Sequence, residues 1–255
     1  MVKPKKYLGQ HFLNDKKIAY NIVDALGADN VFAVLEIGAG MGVLTEFLLE
    51  RKFQTYVIEI DKESVSYLER NFIQLQDKIL DEDFLKFDLA SYFKKEQISI
   101  IGNFPYNISS QILFQVIKYK EFVPEVVGMF QREVAKRIAS GPGSKVYGIL
   151  SVFIQAYYDV EYLFTVDEGV FTPPPKVKSG VLRLKRKDNI VLDCNEKLFF
   201  RIVKAGFNQR RKTLRNSLQQ IMEKEFATDK IFNQRPEQLS VEEFVYLTNL
   251  IEKFL

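Results

Sequence analysis

The sequence predicts an α/β protein built on a parallel, doubly wound sheet, with a smaller helical region after it. Two observations carry this. Short apolar runs alternate with stretches of helical period through the first half of the chain, and that alternation is the signature of stacked strand–helix–strand units. The glycine-rich turn Glu36-Ile37-Gly38-Ala39-Gly40-Met41-Gly42 lies between such a run and such a stretch, where glycines let a ligand approach the backbone closely. In order, Ile18, Ile22, Val23 and Leu26 mark one side of a helix over 15–27. Val31 to Ile37 reads as a strand, Thr45 to Arg51 as a helix and Gln54 to Ile60 as a second strand. Asp61 is placed to cap a helix running to about Phe72. Leu80 to Phe84 approaches a third strand end, Ile98 to Ile101 is a fourth strand, and Ile108 to Tyr119 is helical. A fifth strand, Val126 to Phe130, leads into a helix from Gln131 to Ala139. Ser140-Gly141-Pro142-Gly143-Ser144-Lys145 is loop by composition, and Tyr147 to Tyr157 is helical. Val160 to Val166 and Val177 to Leu184 are strands flanking Phe171-Thr172-Pro173-Pro174-Pro175, a proline run that rules out a central strand there. Polar Lys185-Arg186-Lys187-Asp188-Asn189 marks a domain boundary. Beyond it the pattern is helical, and Ser240-Val241-Glu242-Glu243 forms a capping box for the last helix.

At 255 residues the chain is long enough for one large domain and a small one. We place the first at 1–187, with a basic amino-terminal arm, and the second at 188–255. No apolar run approaches the ~20 residues of a membrane span, and the opening Met1-Val2-Lys3-Pro4-Lys5-Lys6 lacks the apolar core of a signal peptide. Cys194 is the only cysteine, which excludes an internal disulfide and fits a reducing cytoplasm. His11 is the only histidine. A zinc cluster is therefore not expected, and a Ser-His-Asp triad would have to recruit His11 from the arm. The expected chemistry needs neither metal nor covalent intermediate.

The most informative stretch is Gly102-Asn103-Phe104-Pro105-Tyr106-Asn107, which follows the apolar run Ile98–Ile101. It sets an amide, a proline-locked backbone and an aromatic ring at a strand's carboxyl end, where open α/β sheets bind ligands. This grouping suits methylation of the exocyclic amine of adenine. That amine is a poor nucleophile, because its lone pair is delocalised into the ring. Two acceptors for its N–H bonds draw the nitrogen toward tetrahedral geometry. The Asn103 side-chain oxygen is one. The Phe104 carbonyl is the other, since a residue before proline is pushed to extended geometry and its carbonyl cannot join a helix. Tyr106 offers a flat face for a base. Glu59 closes the next strand about 20 residues after the glycine turn, where an acid can hold ribose hydroxyls. NAD is the runner-up ligand. The spacing, however, is G-x-G-x-G, and Glu36 just before the turn would repel a pyrophosphate, whereas the cationic S-adenosylmethionine suits an acidic approach. Asp83, after the third strand, is placed to accept from the adenine amine of that donor.

Net charge is only +3, yet residues 200–215 hold Arg201, Lys204, Arg210, Arg211, Lys212 and Arg215 and no acid. A helix there turns Phe200, Val203, Phe207 and Leu214 toward a core. With Lys5 and Lys6 in the arm, these cations are the candidate phosphate-backbone footprint.

Six segments in order resemble the KsgA-type ribosomal RNA adenine N6-dimethyltransferases. They are Tyr7-Leu8-Gly9-Gln10-His11-Phe12-Leu13-Asn14-Asp15, Leu35–Gly40, Val57-Ile58-Glu59-Ile60-Asp61, Gly102–Ser109, Gln131-Arg132-Glu133-Val134-Ala135-Lys136-Arg137 and Phe171–Val177. The resemblance implies a class I S-adenosylmethionine-dependent methyltransferase fold, a Rossmann-like doubly wound sheet, with a small all-helical carboxyl-terminal domain that binds RNA. It implies S-adenosylmethionine as donor, with no metal. The implied substrate is two neighbouring adenosines near the 3′ end of 16S rRNA in the immature 30S subunit. The implied cofactor contacts are His11, Leu13, Gly38, Gly40, Glu59, Asp83 and Asn103. His11 stands where many relatives have Asn, and Phe104 where relatives usually have Leu or Ile. Asn103, Phe104, Pro105 and Tyr106 form the catalytic strand end, and Phe171 aligns with an aromatic that covers the far face of the target base. A cytoplasmic monomer is expected. The alternatives are an Erm-type methyltransferase of large-subunit rRNA, a DNA adenine methyltransferase, and a non-catalytic ribosome-assembly factor. The Thr-Pro-Pro-Pro-Lys-Val segment and the Gly-Pro-Gly-Ser-Lys loop argue against the first. Nothing resembles a DNA target-recognition module, and the presence of Asn103 and Glu59 argues against the last.

Overall fold

The structure, a computed structural model, describes residues 2–255. It divides into two compact units, one of residues 2–135 and 159–186 and one of 136–158 and 187–255.

The elements are β1 (Phe12–Leu13), α1 (Lys16–Asp24), β2 (Ala33–Ile37), α2 (Thr45–Leu48), β3 (Gln54–Ile58), α3 (Lys62–Asn71), β4 (Ile79–Leu80), α4 (Leu89–Tyr92), β5 (Ile98–Asn103), α5 (Ser109–Lys118), β6 (Glu125–Gln131), α6 (Arg132–Ala139), α7 (Ile149–Gln155), β7 (Tyr158–Val166), β8 (Phe171–Thr172), β9 (Ser179–Arg186), α8 (Glu196–Asn208), α9 (Leu214–Ser217) and α10 (Val241–Glu252), with short 3-10 turns between them.

A seven-stranded sheet in the order β4-β3-β2-β5-β6-β9-β7 organises the first unit. The pairs β3/β4, β2/β3, β2/β5 and β5/β6 are parallel and β6/β9 is antiparallel. Strand order reverses between β2 and β5, and the crevice at such a switch point is where ligands sit in open α/β sheets. Every residue of β2 is buried, as expected of a central parallel strand covered on both faces. Side chains of β2, β5 and β6 join Ala19, Ile22 and Val23 of α1 and Leu44 and Leu48 in one core cluster. Asp15 caps α1 by accepting from the Ile18 amide at 3.0 Å, and Asp61 caps α3 through the Glu63 amide at 3.1 Å.

A small second sheet pairs β1 with β8 antiparallel, with Phe12 opposite Thr172 and Leu13 opposite Phe171. Directly opposed residues share a face, and successive residues alternate. Leu13 and Phe171 therefore point together into the core, at 4% and 3% exposure. Phe12 points the other way, toward the glycine turn.

In the second unit Phe153 of α7 meets Phe200 edge-on at 4.4 Å between centroids and Phe199 at 6.3 Å, while Phe199 reaches Phe244 of α10 at 6.5 Å. The Gly143 amide donates to the Glu237 carbonyl at 2.7 Å. These contacts group 136–158 with the carboxyl-terminal helices, whereas the sequence reading assigned that stretch to the first domain. The helix expected across 200–215 also divides. It ends at Asn208, and the Leu214 amide donates to the Gln234 carbonyl at 2.8 Å as a new helix begins. The capping box of α10 is present, with Glu243 amide to Ser240 Oγ at 3.2 Å and Ser240 amide to Glu243 Oε2 at 2.8 Å. Among the described residues no helix is long and apolar enough to cross a membrane, and no cluster of His, Cys, Asp or Glu could hold a metal ion.

Candidate active site

The carboxyl ends of β2, β3, β4 and β5 converge on a cavity of about 260 Å³. Gly38 continues the β2–β3 ladder by donating to the Ile58 carbonyl at 2.9 Å. Gly38, Gly40 and Gly42 then take φ of 70°, 57° and 80°, a left-handed path open mainly to glycine. At Gly40 a Cβ would lie 2.7 Å from the Phe12 ring, so the turn and the arm fit only without a side chain there. At Gly38 a Cβ would meet nothing nearer than Pro105 Cδ at 3.9 Å, so the space above the turn is open.

Three acids line this cavity, Glu59, Glu82 and Asp83, and among the described residues no lysine or arginine does. Glu59 is 4% exposed. Its Oε2 accepts from the Gly40 amide at 3.0 Å and its Oε1 from the Asp61 amide at 2.9 Å. Burial pushes its carboxyl above the ordinary value, against the pull of the Asp61 and Gly40 amides. A carboxylate has about four acceptor sites, more than these amides fill, so acceptor capacity remains for a ligand. Asp83 is half-buried and accepts from the Leu85 amide at 3.0 Å. Glu36 does not face the cavity. It lies behind the turn at 1% exposure, accepts from Thr45 Oγ1 at 2.5 Å, and is pushed up to about 8 by burial, with the neighbouring Glu59 adding to the effect. The acidic approach expected of Glu36 is thus supplied by Glu59, Glu82 and Asp83.

Asn103 ends β5. Its Nδ2 donates to the His11 carbonyl at 2.9 Å, which turns its Oδ1 away as a free acceptor. The Phe104 carbonyl is not taken up by any hydrogen bond among the described residues, while its amide donates to the Met129 carbonyl at 3.2 Å. The Phe104 ring itself is core, 1% exposed and edge-on to Phe130 at 5.2 Å. Tyr106 shares a 2.5 Å hydrogen bond between its hydroxyl and Ser179 Oγ. Its ring stacks with His11 at 5.5 Å and 27°. His11 Nδ1 lies 2.7 Å from the Pro173 carbonyl; the carbonyl only accepts, so Nδ1 carries the proton. Gly9, Gln10, His11 and Tyr106 border both this cavity and a neighbouring one of about 460 Å³, whose far side is formed by Pro173, Pro174 and Pro175.

The structure therefore brings together His11, Gly38, Gly40, Glu59, Asp83, Asn103, Phe104, Pro105 and Tyr106 of the expected residues. It places four others differently. Leu13 and Phe171 face the core because their register pairs them on its side of the small sheet, so Phe171 does not cover a base from there and Phe12 takes the cavity position. The Lys5 ammonium is held against the Asp61 carboxylate, with Glu63 at 3.4 Å, instead of standing free for phosphate. Arg210 donates to the Ser144 carbonyl at 3.2 Å and lies 3.9 Å from Glu237. Arg201, Lys204, Arg211, Lys212 and Lys6 are exposed, and Arg215 is half-buried. Gln10 and Phe12, which line the cavity, and Asp61 and Ser179, which hold Gln10 and Tyr106 from outside it, were not among the expected site residues. Gln10, Phe12 and Asp61 lie inside quoted motifs, which was the available signal.

A donor with a cationic sulfur, a ribose diol and an adenine fits a lining that is acidic and glycine-walled and carries no counter-charge for a pyrophosphate. The fold and this site define a class I S-adenosylmethionine-dependent methyltransferase. Residues 1–253 match the family described as ribosomal RNA adenine dimethylase. The chain is 58% identical to ribosomal RNA small subunit methyltransferase A of Flavobacterium johnsoniae, covering 98% of this chain and 97% of the relative. It is 56% identical to the protein of the same name from Phocaeicola vulgatus, covering 100% and 92%. In fold it resembles a dimethyladenosine transferase from Plasmodium falciparum, with a TM-score of 0.81 at 23% identity over 96% of this chain and 100% of that one. The 23S rRNA methyltransferase ErmE gives 0.66 at 23% identity over 95% and 99%. The chain belongs to the ribosomal RNA adenine dimethylase family.

Proposed function

We propose that this protein transfers methyl groups from S-adenosylmethionine to N6 of two adjacent adenosines near the 3′ end of 16S rRNA. It does so late in assembly of the 30S subunit, as a cytoplasmic monomer. The observation that carries the reading is the Asn103–His11 hydrogen bond. It fixes the amide so that Oδ1, and not the NH₂, is presented as an acceptor beside the unbonded Phe104 carbonyl. Two acceptors side by side at a strand end suit a group that brings two N–H bonds, as an exocyclic amine does. Glu59 and Asp83 would hold the donor, which when bound supplies a methyl group on cationic sulfur. Asn103 Oδ1 and the Phe104 carbonyl take the amine's two N–H bonds, and Tyr106, oriented by Ser179, supports the base. The amine's proton becomes acidic only as the methyl arrives, so it leaves to water and no strong base is needed.

The small-subunit substrate is supported by the full-length relatives named for that subunit; the likeness to ErmE is one of fold. Exposed Arg201, Lys204, Arg211 and Lys212 support phosphate contact by the second unit. Transfer of labelled methyl to unmethylated small subunits, followed by mapping of the modified bases, tests the reading. Dimethylation of two adjacent adenosines is expected. Label on large-subunit RNA, or on no RNA, would sink it.

A further inference from the structure

Asp61 is more heavily used than a helix cap requires. Its side chain is buried and accepts from the Glu63 amide at 3.1 Å and from Ser64 Oγ at 3.3 Å, which completes the cap of α3. It also receives two donors from the amino-terminal arm. One is the Lys5 ammonium and the other is Gln10 Nε2 at 3.1 Å. Gln10 Oε1 in turn accepts from the Lys5 amide at 2.8 Å. Asp61's own amide holds Glu59 Oε1, and Glu59 Oε2 holds the Gly40 amide. One chain of hydrogen bonds thus runs from the arm through Asp61 and Glu59 to the glycine turn.

The arm it ties down is a wall of the cofactor cavity. Leu8, Gly9, Gln10, His11 and Phe12 all line it. A cap alone does not need a charge, since Asn caps as well as Asp. The charge of Asp61 answers Lys5. Burial raises its carboxyl, but the bonds from Lys5 and Gln10 and the Glu63 amide hold it below the ordinary carboxylate range.

We infer that Asp61 and Lys5 form a latch that holds the amino-terminal arm over the donor cavity, and that donor affinity depends on this ion pair while the chemical step does not. Asp61 is then a positioning residue that acts through the arm. The inference rests on the reading of this cavity as the S-adenosylmethionine site.

Asp61→Asn keeps the cap and the size and removes the charge. Lys5→Met keeps the apolar stem and removes the charge from the other end. Calorimetric titration with S-adenosylhomocysteine needs no RNA. Each single variant should bind about tenfold more weakly, the size of one charge-assisted hydrogen bond. The double variant should be no weaker than either single, because both remove the same interaction. Hydrogen exchange over residues 5–12 should speed up in the ligand-free variants. In turnover the donor KM should rise while kcat at saturating donor stays within about twofold. Should Asp61→Asn unfold, Lys5→Met still decides, since Lys5 lies outside the cap. Unchanged affinity in both variants, or additive losses in the double, would overturn the latch. A wild type that binds no S-adenosylhomocysteine would overturn the donor-site reading instead, and the latch with it.

Discussion

Asn103 Nδ2 donates to the His11 carbonyl at 2.9 Å, joining the end of β5 to the amino-terminal arm. The contact decides which end of the amide is left free at the cavity. Asn103→Ala removes the acceptor and should lower single-turnover rates by a factor of ~10²–10³. Asn103→Asp keeps an oxygen but sets a carboxylate against the His11 carbonyl with no hydrogen to share. It should fail nearly as badly, although it is the closest match in size. An active Asn103→Asp enzyme would show that the orientation of the amide does not matter.

Besides the donor contact proposed for it, Glu59 holds backbone that a cofactor acid need not hold. Its oxygens hold the Gly40 and Asp61 amides. Glu59→Ala should therefore lower both S-adenosylhomocysteine affinity and stability, the latter by ~1–3 kcal/mol for each buried N–H left unpaired. Calorimetry and urea unfolding read the two effects separately. Weaker binding at full stability would mean that the amides find other partners.

Glu36 gives a pH signature. Its carboxyl is raised to about 8, so its stabilising contribution is fully present below the unfolded value and is lost as pH rises through about 8. Glu36→Gln has no such proton to lose. The stability of the variant relative to wild type should climb between about pH 4.5 and about 8, with a slope of at most ~1.4 kcal/mol per pH unit, and level off above. Parallel stability curves for the two proteins would contradict the buried, protonated acid.

The basic residues of the second unit divide into two kinds. Arg211 and Lys212 are exposed, and Arg210 is committed to Ser144 and Glu237. Replacing Arg211 and Lys212 by Ala should weaken binding to the pre-ribosomal subunit and flatten its salt dependence by ~0.7–0.9 for each phosphate no longer neutralised. Arg210→Ala should lower the melting temperature and leave the salt slope alone. The reverse outcome would exchange the two assignments.

The sheet was legible because buried parallel strands are written as continuous apolar runs, and the strand-end motif because proline and glycine fix local geometry without help from afar. The direction in which Phe171 points was not legible. β1 and β8 are each two residues long, too short to show a period, and which face Phe171 takes is set by a partner strand at the other end of the chain. Lys5 illustrates the same limit for charge. Its sign is plain in the sequence, but whether it meets a phosphate or Asp61 depends on where the arm lands. The grouping of 136–158 with the later helices is likewise a matter of distant contacts, such as Phe153 with Phe199.

Gly102 and Gly128 face each other across β5 and β6; a Cβ on Gly102 would meet the Ile37 carbonyl at 2.6 Å and the Phe104 ring at 2.7 Å, and one on Gly128 the Phe104 ring at 2.3 Å and the Phe130 ring at 2.9 Å. Three positions thus divide one volume. Gly128→Ala alone should push the ring aside and carry the acceptor carbonyl with it. Paired with Phe104→Leu, the same methyl loses its closest clash and is left with the Phe130 ring at 2.9 Å, so the pair should be less damaging than Gly128→Ala alone. At Gly128 mutational tolerance belongs to the group and not to any member, whereas Gly102 is held to glycine by the Ile37 carbonyl whichever ring stands at 104.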